Sequence, residues 1–247
     1  MDLRDSWTIT RKDFSIFRKK SYVIYSLVAV PTIVSILLPV VLQVIVLRRN
    51  VPPAALPAIV EQFLGAFSFF WVVLAAVVPI TLASYSIVGE KVEKSLEPLL
   101  ATPLTDGELL LGKSLAAFLP SLASIYVGVV IYMILADYVT QGVIGYPFFP
   151  NWDMAMILLL IPLACLLSVE VSIILSSRVN DVRASQQLGF LTLIPFAAIY
   201  VSLEVNLIEY NTTNLLIICA IVLVANVTLF FLTRSTFGRE EILTKWK

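Results

Sequence analysis

The chain has no histidine among its 247 residues, and it carries only two cysteines and few charges. The absence of histidine excludes a Ser-His protease and an H-E-x-x-H metalloprotease, and it removes the most common side-chain metal ligand. Cys165 and Cys219 lie within apolar stretches, so we expect small buried side chains rather than a disulfide framework. The formal net charge is zero, so nucleic acid is not an expected partner. We therefore expect no cofactor, no metal site and no catalytic residues in this chain.

The chain is rich in apolar residues. Hydrophobic residues make up 59% of it, and charged residues make up only 14%. This composition is typical of membrane proteins. A hydrocarbon core of about 30 Å needs about 20 helical residues, and a helix satisfies its own backbone hydrogen bonds in lipid. The sequence therefore predicts an all-α membrane protein with six transmembrane helices. The predicted spans are Ser21–Leu47, Phe63–Val88, Ser114–Ala136, Met154–Ser177, Ala184–Leu203 and Tyr210–Thr233.

The basic residues give the predicted bundle an orientation. With both termini in the cytoplasm, 15 of the 17 lysines and arginines fall on the cytoplasmic side, and only Arg48 and Arg49 fall outside. An excess of positive charge is typical of the cytoplasmic loops of membrane proteins. The sequence therefore predicts a multi-pass membrane protein with cytoplasmic N- and C-termini, and we expect it in the plasma membrane.

Residues 1–20 precede the first span and combine aromatic with basic side chains. Aromatic side chains recurring at helical spacing among basic ones are typical of a helix that lies in the membrane interface. We predict such an interfacial helix here, with Thr10 and Asp13 as a capping pair. The side chains of its expected membrane-facing stripe are Trp7, Thr10, Phe14 and Phe17.

The loop Gly89–Lys113, between the second and third spans, reads GEKVEKSLEPLLATPLTDGELLLGK. Apolar side chains at i, i+4, i+7 and i+8 predict a short amphipathic helix in the cytoplasm. Pro98 and Pro103 limit its length. Its apolar side chains need a surface to bury against, which is either the bundle and the lipid surface or a partner protein. These side chains are Val92, Leu96, Leu99 and Leu100.

The sequence of this loop resembles the signature of ABC-2 type permeases, the membrane subunits of ATP-driven exporters. There a Glu, a Lys or Arg, a Ser/Thr-Leu-Glu and a Leu-Leu-x-Thr-Pro-Leu are followed by an acidic residue and a Leu-Gly-Lys. Lys94 departs from the small residue that the family often has before the Ser/Thr. The six-span layout agrees with the resemblance along the whole chain. The matching residues are Glu90, Lys91, Ser95, Leu96, Glu97, Leu99, Leu100, Thr102, Pro103, Leu104, Glu108, Leu111, Gly112 and Lys113.

The resemblance implies that residues 1–247 form a single ABC-2 type transmembrane domain whose loop docks on a separate ATPase subunit. Glu93–Thr102 would be the coupling helix, which transmits nucleotide-driven closure to the spans. The resemblance also implies a homodimer, or a heterodimer with a related permease, above two ATPase subunits. ATP would be hydrolysed on that partner, so this chain itself is not expected to be an enzyme. The residues expected to couple to the ATPase are Glu90, Glu93, Leu96, Glu97, Leu99, Leu100 and Thr102.

Gly107–Ser114 reads GELLLGKS, which matches the P-loop pattern G-x-x-x-x-G-K-[ST]. A P-loop needs a preceding strand and exposed backbone amides that cradle phosphates. Here leucines fill the middle positions and a membrane span follows directly. We therefore interpret Lys113 as an anchor at the inner membrane interface rather than as a nucleotide ligand.

Glu170 lies inside the fourth predicted span, about two turns before Arg178. A charge near the bilayer centre costs roughly 2.5–3.5 kcal/mol on insertion scales, so it should face the bundle, water or a partner. Glu170 is therefore either a residue of the transport path or a carboxyl that packs helices together. The alternative class, an ion-coupled secondary transporter, would normally show several paired charges inside its spans.

Overall fold

The structure, a computed structural model, describes residues 3–47, 52–93, 95, 102, 104–144, 152–209 and 211–236. These residues are largely helical and contain no strand. Six helical segments among them are long and apolar enough to cross a membrane, which confirms the all-α class and the six predicted spans. The helices are α1 (Leu3–Arg18), α2 (Ser21–Leu42), α3 (Leu56–Val92), α4 (Asp106–Thr140), α5 (Trp152–Arg178), α6 (Val182–Gly189), α7 (Leu193–Glu204) and α8 (Thr212–Thr236).

Two of the spanning helices are longer than the sequence predicts. α3 has 37 residues and α4 has 35, so each is roughly 50 Å long or more and exceeds a hydrocarbon core of about 30 Å. Their extra turns occupy both ends of the predicted loop, because α3 continues through Val92 and α4 begins at Asp106. Thr105 and Glu108 start α4 with a capping box, in which each side chain accepts a hydrogen bond from the other residue's backbone amide.

The fifth span, Val182–Glu204, is not one continuous α-helix. It consists of α6, a 3-10 turn at Phe190–Thr192, and α7. A second irregularity follows α2, which continues as a π-helical turn over Gln43–Leu47. Both irregularities fall within predicted spans that contain proline, Pro31 and Pro39 in the first and Pro195 in the fifth.

α3 is the central helix of the bundle, and it packs most extensively along α5. The large buried side chain of Trp71 on α3 meets the ring of Tyr132 on α4, with centroids 5.9 Å apart. Gly128 permits this approach, because a Cβ there would lie 2.8 Å from the Trp71 ring. α2, α7 and α8 leave many apolar side chains exposed on their outer faces. An exposed apolar surface is what a lipid-facing helix requires.

α1 packs against the start of α4. The predicted capping pair of α1 is wrong. Thr10 and Asp13 lie inside Leu3–Arg18 and not at its start. The Thr10 hydroxyl lies within hydrogen-bond distance of two backbone carbonyls, those of Ser6 at 2.9 Å and Gly112 at 3.0 Å. The close contact depends on glycine, since a Cβ at Gly112 would lie 2.7 Å from the carbonyl oxygen of Ser6.

The predicted stripe of α1 is divided between two faces of the helix. Thr10 and Phe17 are buried, whereas Trp7 and Phe14 are 56% and 49% exposed. The buried face is completed by Ile9, and this face packs on the rest of the bundle. α1 is therefore held by protein contacts on one side and presents two aromatic side chains on the other.

Candidate functional site

A buried group of charges joins three helices at one end of the bundle. Lys113 of α4 is its centre, with Nζ 3.3 Å from Asp13 Oδ2 of α1 and 3.1 Å from Glu90 Oε2 of α3. The same ammonium donates a hydrogen bond of 2.8 Å to the carbonyl of Ser86. Lys12 of α1 pairs with the other oxygen of Glu90, Oε1, at 3.0 Å. We call Lys12, Asp13, Glu90 and Lys113 the charged cluster.

The charged cluster contains two carboxylates and two ammonium groups, so its formal charges balance. Burial is expensive for Asp13, Glu90 and Lys113, and pairing offsets that cost only where the geometry is close. Burial raises the pKa of the Asp13 carboxyl above its ordinary value; the Lys113 ammonium opposes this rise and the charge of Glu90 adds to it. The ammonium of Lys113 therefore favours the ionised form of Asp13 against the effect of burial.

This geometry shows that the interpretation of Lys113 as an interface anchor is wrong. Its side chain is only 1% exposed, because α1 folds over the first turns of α4 and covers it. The P-loop geometry is not present either. Gly107–Ser114 is helical, and the described residues before it include no strand. The ammonium of Lys113 is directed at protein carboxylates and not at a phosphate site.

Glu93 makes a second link between the end of α3 and the N-terminal segment. Its Oε1 accepts hydrogen bonds from the Lys20 ammonium at 2.7 Å and from the Tyr85 hydroxyl at 2.6 Å. The same ammonium lies 3.7 Å from the centroid of the Tyr85 ring. Lys20 directly precedes α2, so this contact fixes the junction between α1 and α2 to α3.

Lys91 links the end of α3 to the end of α5. Its side chain is buried, and Nζ donates to the carbonyls of Ser177 at 2.8 Å and Val179 at 3.1 Å. Carbonyls at a helix C-terminus lack intrahelical donors, and a cation there is favoured by the helix dipole. Glu90, Lys91 and Glu93 thus connect the last turn of α3 to three different parts of the bundle.

Some of the predicted coupling residues lie at the end of α3, among the contacts with α1, α4 and α5. Glu90 and Glu93 are two of these residues, and they make the contacts given above. Thr102 is half-buried, and Val92 of the predicted stripe ends α3 and is exposed. The remaining predicted coupling residues lie outside the described residues, and these are Leu96, Glu97, Leu99 and Leu100.

Glu170 lies on α5 and faces a cavity between α4, α5 and α8. The cavity has a volume of about 380 Å³ and is lined mainly by leucine, valine and phenylalanine side chains. Glu170 is 5% exposed, and its Oε2 is buried without a hydrogen-bond partner among the described residues. Asn226 of α8, which sequence reasoning missed, lines the same cavity. An amide in the middle of an apolar span was the signal that could have identified it.

Comparison with protein-family models and with curated proteins finds no match for this chain. The class that the fold defines is a multi-pass α-helical membrane protein with six candidate spans. Within that class, two features of the described residues bear on function, namely the charged cluster at one end of the bundle and the cavity beside Glu170.

Proposed function

We propose that the chain is the membrane-spanning permease subunit of an ABC-2 type exporter, coupled to a separate ATPase subunit. The supporting observation is that the loop resembling that family's signature begins and ends in the charged cluster. Glu90 at its start and Lys113 at its end are joined by an ion pair of 3.1 Å. Both residues belong to the signature itself. A loop closed in this way is fixed at both ends to the bundle.

The charged cluster gives the loop a mechanical connection to the spans. α3 and α4 run without interruption from the cluster into the apolar part of the bundle. Coupling between distant sites is carried by packed side chains, ion pairs and rigid elements. A partner that moves the loop would therefore move α3 and α4 together, and α1 with them through Asp13. In the exporter, nucleotide-driven closure of the ATPase supplies that movement.

The proposal includes the arrangement of the subunits in the membrane. Two copies, or this chain and a related one, form the export path in the plasma membrane, with both termini and the charged cluster at the cytoplasmic side. α1 lies in the inner interface, and its exposed Trp7 and Phe14 contact the lipid headgroup region. The excess of lysine and arginine on that side supports this orientation.

The test is the association of the chain with an ABC ATPase. The chain is purified from native membranes through an affinity tag, and co-purified ATPase is identified by mass spectrometry. Leu99→Asp and Leu100→Asp should each lower the recovered ATPase and abolish transport, because a charge replaces an apolar docking contact. Leu207→Asp, at a residue 79% exposed between α7 and α8, is the matched control and should change neither. Full ATPase recovery and normal ATPase stimulation in both loop variants would contradict a docking role.

An ion-coupled secondary transporter is the second candidate, and the buried carboxyl of Glu170 beside a cavity favours it. The two candidates differ in their energy source. Proteoliposomes containing the chain alone should show no uptake or efflux driven by a proton or sodium gradient if the exporter proposal is right. Gradient-driven transport without ATPase or ATP would establish the second candidate instead.

A further inference from the structure

The cavity between α4, α5 and α8 opens on the outer face of the bundle. Three of its lining side chains, Leu223, Val227 and Phe231, are 51%, 50% and 61% exposed. The mouth of the cavity therefore lies on apolar helix surface that would face lipid. Its volume of about 380 Å³ is within the range of small-molecule sites, which is roughly 300–1,000 Å³. A ligand could enter it laterally from the membrane.

Two buried oxygens in the lining have no hydrogen-bond partner among the described residues. One is Oε2 of Glu170, and the other is Oδ1 of Asn226. The Asn226 amide is held in this orientation, because its Nδ2 donates to the carbonyls of Leu163 at 3.1 Å and Val222 at 2.8 Å. Both unpaired atoms are acceptors. Leaving buried acceptors unpaired costs about 1–3 kcal/mol each, so the cavity favours a ligand that supplies donors.

A second, much smaller cavity continues from the first. It shares Ser114, Glu170 and Phe230 with the large cavity and extends to Gly107 and Thr233, near the end of the bundle that holds the charged cluster. Its volume of about 10 Å³ is close to the minimum for one water molecule. One water cannot fill the large cavity, whose lining is almost entirely apolar. The larger space needs an apolar occupant.

We propose that this cavity binds an amphiphilic amine, whose ammonium group pairs with Glu170 and Asn226 and whose apolar body fills the space toward the lipid-facing mouth. An ammonium is a donor with three hydrogens and no acceptor, which matches two unpaired acceptors, one of them a carboxyl oxygen. A neutral alcohol supplies one hydrogen, and a carboxylate supplies none. This inference concerns binding by the chain alone, so it does not depend on the proposed ATPase partner.

The experiment uses the purified chain in phosphatidylcholine nanodiscs and dodecylamine carrying a terminal diazirine for photo-crosslinking. The matched probes are dodecanol and dodecanoate carrying the same group. We expect saturable labelling of α8 peptides that contain Leu223 and Phe231 by the amine, with half-saturation at a concentration roughly ten-fold below that of the alcohol. Nanodiscs of phosphatidylethanolamine distinguish the source of the ammonium. Loss of labelling there assigns the site to a lipid headgroup, and unchanged labelling assigns it to a free amine.

Variants separate recognition of the charge from filling of the space. Glu170→Gln should weaken amine labelling by roughly ten-fold, to the level of the alcohol. Glu204→Gln, a carboxyl exposed at the end of α7, is the matched control and should leave labelling unchanged. Leu223→Trp, on the exposed face of α8, should block amine and alcohol alike by filling the mouth. Melting temperatures of all variants identify any that do not fold. Equal labelling by the three probes, or amine labelling that Leu223→Trp leaves unchanged, would overturn the proposal.

Discussion

Replacing Lys113 by methionine removes the charge at the centre of the charged cluster while keeping an unbranched apolar side chain. The variant leaves the carboxyl groups of Asp13 and Glu90 buried in the same space without the ammonium between them. The carbonyl of Ser86 loses a donor at the same time. The contact between α1, α3 and α4 is therefore expected to weaken.

The size of the effect follows from which carboxyl is left unpaired. Glu90 keeps Lys12 at 3.0 Å, whereas Asp13, with a side chain 5% exposed, loses its contact with Lys113. Removing one partner of a buried ion pair costs about 3–5 kcal/mol of folding free energy. Because Glu90 remains paired, we expect a loss near the lower end, about 3 kcal/mol. Lys12→Met should cost no more than about 1 kcal/mol, because the Lys12 side chain is 43% exposed.

The measurement is the free energy of unfolding in mixed micelles, followed by tryptophan fluorescence during titration with a denaturing detergent. Asp13→Asn combined with Lys113→Met should recover part of the loss, because the double variant has no unpaired Asp13 charge. Contacting residues typically show coupling energies of about 0.5–3 kcal/mol in such cycles. If Lys113→Met and Lys12→Met lower the free energy equally, or the double variant is simply additive, the buried pairing of Lys113 is refuted.

Three further predictions concern the packing around α1 and α4. Burial raises the pKa of folded Asp13 above the ordinary 3.8, so the folded protein binds this proton more tightly than the unfolded protein does. The stability of the protein relative to Asp13→Asn should therefore fall as pH rises from about 3.8 through the raised pKa. A difference in melting temperature between the two proteins that does not vary with pH would contradict this. Gly112→Ala should cost about 1–3 kcal/mol of unfolding free energy, because the new Cβ meets the carbonyl of Ser6, and an unchanged value would argue against the close contact of α1. Ser35→Ala removes a hydroxyl that lies within hydrogen-bond distance of two carbonyls, those of Pro31 at 2.6 Å and Gly128 at 2.8 Å, and should cost about 0.5–1.5 kcal/mol by the same measurement; a stabilised variant would argue against a hydrogen bond there.

The six spans could be predicted because apolar length is a property of consecutive residues. Their ends were harder to predict, since a helix can continue past the lipid wherever tertiary contacts satisfy its charges. α3 does so through Glu90 and Lys91, which the sequence assigns to a loop, because both side chains find partners on neighbouring elements. The break between α6 and α7 was also not predicted, since the short, mostly polar α6 directly precedes the apolar residues of α7 and the sequence joins both into one span.

The charged cluster could not be predicted, because it joins residues that lie far apart in the sequence. Asp13 and Lys113 meet only because α1 folds back onto α4, and that contact depends on the missing side chain of Gly112. A partial signal was present in α1. Asp13 falls at i+4 from Ile9 and i−4 from Phe17, so an acid lies on the apolar face of the helix. Acids are rarely buried without a partner, so this position predicts a counter-charge elsewhere in the fold.

The buried carboxyl groups of Asp13, Glu90 and Glu170 are of two kinds, and the difference bears on their roles. In the charged cluster, Asp13 and Glu90 both have a cation within the fold, so folding alone accounts for their burial. Glu170 has no ion-pair partner among the described residues, and its Oε2 is buried without a hydrogen bond there, so folding alone does not account for its position. A buried carboxyl of this second kind is costly unless something outside the chain pairs with it. The charged cluster is therefore best understood as part of the structure that holds the loop, and the cavity beside Glu170 as a place for a ligand.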